Sequence, residues 1–237
     1  MNAGKCVCMR FRGRYVRTVS LHSYRISGQP IEFADKHSEL GVEEHRSLQF
    51  HSHTRRTTGT CGGLTTNILS STLCREAGFL LNIYKSHIRP KLEYCSCAWN
   101  LNYVGDLRLI ESIQRRWTRS VRGLENASYD QRLQQLDLFS MKGRLLRADL
   151  IMVWKIFNGH CAISPDQLFT MNSSSRRGHP LKIFVQRPSL EVRRRSFAVR
   201  VVRDWNSLPA ETVMAQSLET FKRLLQRDLG QRLFEFN

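Results

Sequence analysis

The sequence predicts an α+β fold that is mostly α-helical, and three observations support this prediction. Short apolar segments separated by Gly and Pro fill much of the first fifty residues, as in strands joined by tight turns. From about Gln49 onward, apolar residues recur at spacings of three and four, the period of a helix with one buried face. Serines precede several helical segments, where they cap the first turn. We expect a small N-terminal antiparallel β hairpin, then a helical bundle and further C-terminal helices.

The hairpin is predicted within residues 21–33, where Gly28 and Pro30 mark a tight turn between two short strands. Residues 5–11 are a further strand candidate. The sheet is expected to end in one more short strand or a bend, formed by Leu40, Gly41 and Val42.

The first well-defined helical pattern covers residues 77–99, and Pro90 within it predicts a kink or two helices that meet there. A second pattern covers residues 104–123, with an apolar stripe on one side, arginines on the other and Gly123 as a natural stop. The stripe of the first helix is Leu80, Tyr84, Ile88, Leu92, Cys95 and Trp99. The stripe of the second is Leu107, Ile110, Ile113, Trp117 and Val121.

The C-terminal part is predicted to be helical with a loop near residues 172–179. Ser128 begins a capping box for a short helix, and Ser140 caps a longer helix that ends at Phe157. Residues 181–185 are a candidate strand, and helices are expected over residues 193–206 and 217–233. We divide the chain into a β region (1–50), a helical region (51–125) and a C-terminal helical region (126–237).

The charge balance favours a polyanionic partner. The chain has 37 Lys and Arg against 20 Asp and Glu, a formal net charge of +17. Arginine matches phosphate with a planar fork of donors, so RNA, DNA or an RNA–DNA hybrid is expected to bind through its phosphate backbone. No membrane partner is expected because apolar runs are short, and the absence of a signal-peptide core predicts an intracellular protein, nuclear or cytoplasmic.

No catalytic residue, metal ligand or cofactor is predicted. Residues 33–36 resemble an aromatic-Ala-Asp-Asp metal-binding tetrapeptide, but Lys36 replaces the second acid and would repel cations. His51 and His53 followed by Cys61 lack the second cysteine pair of a zinc finger.

Two basic surfaces are the candidate nucleic-acid contacts. One is the polar side of the helix over residues 104–123, and the other begins at residues 193–195. An ordinary core helix with a solvated basic face is the alternative interpretation of the first surface. The predicted phosphate-binding residues are Arg108, Arg115, Arg116, Arg119, Arg122, Arg193, Arg194 and Arg200.

Residues 84–95, with the sequence YKSHIRPKLEYC, resemble the segment after the polymerase palm in reverse transcriptases of non-LTR (LINE-type) retrotransposons of the jockey and chicken-repeat kind. Residues 109–118 and residues 201–209, with the sequence VVRDWNSLP, continue the resemblance in the same order. The similarity covers nearly the whole chain and corresponds to the late palm, thumb and C-terminal region of such an enzyme.

The resemblance implies that the helices after residue 50 form a thumb, which holds a template–primer duplex by its backbone. Asn2 and Lys5 match a late-palm motif of the family. The paired aspartates that hold Mg²⁺ in the family enzyme lie upstream of the matched region, so the chain alone is not expected to polymerise DNA. The residues similar to the primer grip are Leu40, Gly41 and Val42.

The leading functional prediction is a truncated RNA-directed DNA polymerase fragment with residual, sequence-independent binding of RNA or an RNA–DNA hybrid. One alternative is a protein-interaction or structural module derived from a mobile element, which self-associates through exposed apolar surface. Two further alternatives are a polymerase subunit whose carboxylates come from another chain and a chain without a selected role.

Overall fold

The computed structural model describes residues 6–11, 23–172 and 178–236. The described N-terminal part contains two short antiparallel hairpins. Gly28 lies in the turn of the first hairpin with φ +80°, which confirms the predicted turn. Leu40 and Gly41 form the turn of a second hairpin, where one more short strand or a bend was expected. The strands are β1 (Arg25–Ile26), β2 (Gln29–Pro30), β3 (Lys36–Glu39) and β4 (Val42–His45).

The strand predicted over residues 5–11 is wrong for the residues that are described. Among residues 6–11 there is only an isolated parallel bridge from Cys8 to Phe33. Just beyond this bridge, the Asp35 carbonyl accepts a hydrogen bond from the Arg46 amide, which follows the second hairpin. Asn2, Lys5 and the predicted strand start near residue 21 lie outside the described residues.

Helices make up most of the remaining chain, so the predicted α+β, mostly α fold is confirmed. Ser128, Ser140 and Ser217 accept hydrogen bonds from the amide of the third residue beyond them, which confirms the caps predicted at Ser128 and Ser140. The longer helices are α1 (His51–Ser71), α2 (Ala77–Ile83), α5 (Val104–Arg119), α6 (Tyr129–Gln135), α7 (Met141–Phe157) and α13 (Leu218–Leu229). The shorter ones are α3 (Arg89–Glu93), α4 (Ser96–Trp99), α8 (Pro165–Leu168), α9 (Glu191–Arg194), α10 (Phe197–Arg200), α11 (Val202–Ser207) and α12 (Ala210–Val213).

The predicted break near Pro90 is confirmed and takes the form of a π-helical turn over Tyr84–Ile88. Pro90 has no N–H, and its ring would clash with the carbonyl four residues back in a regular helix. The helical turn before it is therefore wider, and regular α-helix resumes as α3. Cys95 has φ +54° and is exposed, because the chain turns after α3. Its assignment to the apolar stripe is therefore wrong, whereas the other five stripe residues are buried.

Two hydrophobic cores meet along α7. The first is formed by α1, α2, α5 and the first turns of α7, and it includes Trp117, whose indole N–H donates to the Leu80 carbonyl at 3.1 Å. The second contains Trp154 and Trp205 and is covered by the C-terminal helices. Along α7, the residues up to Leu145 belong to the first core and those from Leu150 belong to the second. The division proposed at residue 125 stays a prediction.

The C-terminal elements are more broken than predicted. The helix expected over residues 193–206 is divided into α9, α10 and α11, and Ile183 contributes only an isolated bridge to Met171 where a strand was expected. Of the predicted loop near residues 172–179, residues 173–177 lie outside the described residues. No helix in the described part of the chain is both long and apolar enough to cross a membrane.

Candidate nucleic-acid interface

Helix α5 carries an exposed row of arginines on a firmly anchored scaffold. All five residues of its predicted stripe are buried, with Trp117 fully so, although the last of them, Val121, lies just beyond the helix. On the opposite side, Arg108, Arg115 and Arg119 fall within about 40° of one another around the helix axis. These three residues and Arg116 are exposed. The buried side fixes the helix, so the arginines project from a rigid support.

None of these four arginines has an ion-pair partner in the described part of the chain. No Asp or Glu of residues 6–11, 23–172 and 178–236 forms an ion pair with Arg108, Arg115, Arg116 or Arg119. A cation without an internal partner is free to exchange water for phosphate oxygens. The positive charge of this row is therefore directed outward.

Arg115 is positioned differently from its neighbours. Its guanidinium lies over the ring of Tyr129 at 4.1 Å from the centroid and over that of Phe236 at 5.4 Å. Stacking uses the face of the guanidinium and leaves the N–H groups at its edge available. Arg115 is thus held in a defined orientation while it remains exposed.

Arg122 lies beyond the helix on which it was placed. Helix α5 ends at Arg119, and the chain turns through Ser120 to Gly123, which has φ +82°. Arg122 pairs with Glu76 at 2.8 Å, and both side chains are exposed. The predicted helix was four residues too long because the apolar period continues to Val121 in the turn. Arg122 therefore does not extend the row along the helix axis.

Arg200 is removed from the candidate set by its environment. Its side chain is 6% exposed and forms an ion pair with Asp149, which is 4% exposed. A continuous helix over residues 193–206 would place Arg200 on the same face as Arg193. The break between α9 and α10 changes that orientation and turns Arg200 inward. The prediction that Arg200 contacts phosphate is wrong.

The second basic surface is a cleft beside α9. Arg194 pairs with Glu191 at 2.7 Å, and Arg193 donates a 3.4 Å hydrogen bond to the Gln186 side chain. The cleft has a volume of about 510 Å³ and is lined in part by Arg187, Arg194 and Arg203. Sequence reasoning missed Arg187, which lies before a proline outside any helical pattern. It could be associated with this surface only through the fold.

The hairpin tip, which we define as Leu40 and Gly41, is exposed and strained. Leu40 is 85% exposed and has φ +47°, a conformation that a leucine rarely adopts. Arg56 donates to the Gly41 carbonyl and Tyr94 donates to the Leu40 carbonyl, both at 3.0 Å. Val42 points the other way, into the core. The fold thus holds an apolar side chain in solvent at a defined place.

The histidines and cysteine considered for zinc have structural partners. His51 Nδ1 lies 2.7 Å from an Asp106 oxygen, and His53 Nδ1 accepts a hydrogen bond from the Glu43 amide at 3.2 Å. Burial lowers the pKa of His53, as does the charge of Arg56. Burial also raises the pKa of the Cys61 thiol to about 11. Within the described residues, no group of three or more His, Cys, Asp or Glu is arranged to hold a metal ion.

A buried carboxylate beneath the arginine row fixes α5 against α7. Glu111 is fully buried and accepts hydrogen bonds from the Tyr129 hydroxyl and from the amides of Met141 and Lys142, at 3.0 Å and 3.4 Å. Those amides belong to the first turn of α7, where a negative charge is favourable. Burial raises the pKa of Glu111, while the Tyr129 hydroxyl opposes the rise. An isolated Glu in a helical pattern gave no signal of this role.

Comparison with family models, curated proteins and solved structures finds no match to this chain.

Proposed function

We propose that the chain binds the phosphate backbone of RNA, DNA or an RNA–DNA hybrid without sequence preference. In this proposal it is the late palm, thumb and C-terminal region of a non-LTR retrotransposon reverse transcriptase, as the motif resemblance implies. It would not polymerise DNA alone, and Mg²⁺ would be required only by the full-length family enzyme.

The row of arginines on α5 is the observation that carries the proposal. Arg108 and Arg119 are eleven residues apart, which corresponds to about 16 Å along a helix. Successive phosphates of one strand advance about 3.4 Å along a duplex axis, so the row has the length to contact several of them. The exposed guanidiniums of Arg115, Arg116 and Arg119 supply forked donors, and backbone contacts carry no base information.

The hairpin tip supports a second contact with the same ligand. The motif resemblance places the primer grip at Leu40, Gly41 and Val42, and the first two residues are exposed in the turn. A leucine held in solvent by Arg56 and Tyr94 suits packing against a sugar or a terminal base. In this proposal the tip positions the end of the duplex, and the arginines hold its backbone.

A salt titration tests the proposal. Binding of the full chain to a fluorescent RNA–DNA hybrid is measured by anisotropy at increasing salt concentration. If about six phosphates are neutralised, the affinity falls roughly a thousandfold between about 50 and 200 mM salt. Hybrids of unrelated sequence bind with equal affinity. An affinity that does not change with salt, or that depends strongly on sequence, contradicts the proposal.

A protein-interaction or structural module is the second candidate. It is favoured by apolar side chains that no part of the described chain covers, among them Leu73 at 94% exposed and Leu40 at 85%. Light scattering distinguishes the two functions. A salt-insensitive oligomer that does not bind the hybrid supports the module, and a monomer with salt-dependent binding supports the backbone binder.

A further inference from the structure

A second group of cations lines an open groove between α7 and α13. The groove has a volume of about 630 Å³. It contains four cationic side chains and one carboxylate, that of Glu219. Its lining residues are Arg147, Glu219, Lys222, Arg223, Gln226, Arg227 and Gly230. None of them belongs to the α5 row or to the cleft beside α9, so the groove is a separate feature.

Arg147 is the least satisfied cation of the groove. Its Nε atom is buried and has no hydrogen-bond partner within the described part of the chain. Burial lowers the pKa of Arg147, and the nearby charge of Arg144 lowers it further, against an opposing effect of Glu93. Native proteins rarely leave a buried donor unpaired, so such a group indicates that a partner is missing.

The other three cations of the groove differ in how strongly carboxylates pair with them. Lys222 lies 3.5 Å from Glu219, which is 87% exposed, and an exposed pair of this kind contributes little. Arg223 is exposed and forms no ion pair among the described residues. Arg227 is held by Asp228 and Glu211 at 2.9 Å and 3.1 Å. Lys222 and Arg223 therefore remain free to turn toward an anion.

We infer that this groove is an anion site that takes a phosphate group, with Arg147, Lys222 and Arg223 as its donors. A phosphate has several strong acceptor oxygens, so it can satisfy guanidinium and ammonium groups from two helices at once. Binding would give Arg147 a partner at ion-pair distance, which no carboxylate of the described residues provides. The phosphate comes from a small phosphorylated molecule or from a polynucleotide backbone, and both present the same chemistry.

Thermal unfolding of the full chain in inorganic phosphate tests the inference. Ionic strength is held constant with chloride. Phosphate also stabilises folded proteins by exclusion from their surface, so the specific effect is the part of the rise in melting temperature that saturates with phosphate concentration. Arg147→Gln and Arg223→Gln each weaken the apparent phosphate affinity about tenfold or more, as the loss of hydrogen bonds to a charged group requires. Arg46→Gln is the matched control, because it removes the same charge from an exposed residue outside both the groove and the α5 row, and it leaves the phosphate effect unchanged.

The inference is overturned if phosphate and chloride stabilise the chain equally, or if the phosphate effect persists in both groove variants. Arg223→Gln decides the question should Arg147→Gln fail to fold, because Arg223 is exposed on the surface of α13. This outcome does not depend on the proposed function, since hybrid binding is read separately and responds to Arg116→Gln. An unchanged hybrid affinity in Arg223→Gln assigns the site to a small phosphorylated molecule, and a reduced affinity assigns it to the backbone.

Discussion

The guanidinium of Arg200 forms a two-point ion pair with the carboxylate of Asp149, with both N–O distances at 2.8 Å. Arg200 also donates to the Cys97 carbonyl at 3.1 Å. One buried arginine thus joins α10 to the middle of α7 and to the segment that carries α4. Its function is to hold three elements together.

Arg200→Met is expected to destabilise the chain by about 3–5 kcal/mol, because it leaves Asp149 buried without its counter-charge. Urea denaturation measures the loss. The double variant Arg200→Met/Asp149→Leu is the control and should recover most of the stability, since no charge is then left buried. A single variant as stable as the parent would contradict the buried pair.

The arginine row should be measurable as a change in salt dependence. Arg116→Gln/Arg119→Gln is expected to reduce the slope of log affinity against log salt by about 2, since each lost phosphate contact contributes about 0.9. Anisotropy with two hybrids of different sequence should show equal losses. Arg46→Gln is the matched control, because Arg46 is exposed but already pairs with Asp35 at 3.1 Å. A loss confined to one sequence would indicate base recognition.

The buried carboxylate of Glu111 predicts a pH effect. Burial raises its pKa above the ordinary value of 4.5. The folded chain therefore holds the proton more tightly than the unfolded chain, so the stabilisation is complete below pH 4.5 and decreases as the pH rises through the folded pKa. Glu111→Gln should lack this component. Urea denaturation from about pH 4.5 upward compares the two, and parallel curves would contradict the prediction.

Replacement of two helical glycines by alanine should change the stability of the chain in opposite directions. In Gly143→Ala the new Cβ would overlap the Leu233 carbonyl, so we expect a loss of about 1–3 kcal/mol. In Gly63→Ala the Cβ would meet no atom of the described residues within 4 Å, and the better helix propensity of alanine should stabilise the chain by about 0.5–1 kcal/mol. Thermal melts of both variants test the close approach of the C-terminal segment to α7.

Leu40→Gly separates stability from binding at the hairpin tip. Glycine adopts positive φ without strain, so the variant should be as stable as the parent or more stable by up to about 1 kcal/mol. If the leucine side chain contacts the duplex, affinity for the hybrid falls while the salt slope is unchanged. Equal affinity in the variant would exclude the tip from the interface.

Local sequence patterns were sufficient to predict the main helices and their buried faces. Trp117 and its stripe were assigned to the core because a 3.6-residue period survives in any helix with one buried face. The caps at Ser128 and Ser140 could be predicted because the N–H groups in the first turn of a helix need acceptors, which a serine side chain supplies. The row from Arg108 to Arg119 followed from the same period.

Relationships between distant segments were not available from local pattern. Arg200 was misassigned because its partner, Asp149, lies 51 residues away along the chain and α9 and α10 are separate helices. Glu111, Arg147 and Arg187 carry no distinguishing sequence context. Their importance depends on which helices pack together, and a single sequence does not specify this by periodicity.

Helix α7 belongs to both hydrophobic cores, with Met141 and Leu145 in one and Leu150 and Trp154 in the other. Truncation of the chain on either side of α7 would expose one of the two cores to solvent. We therefore expect that neither half folds on its own. Calorimetry of the intact chain should accordingly record a single heat-absorption peak.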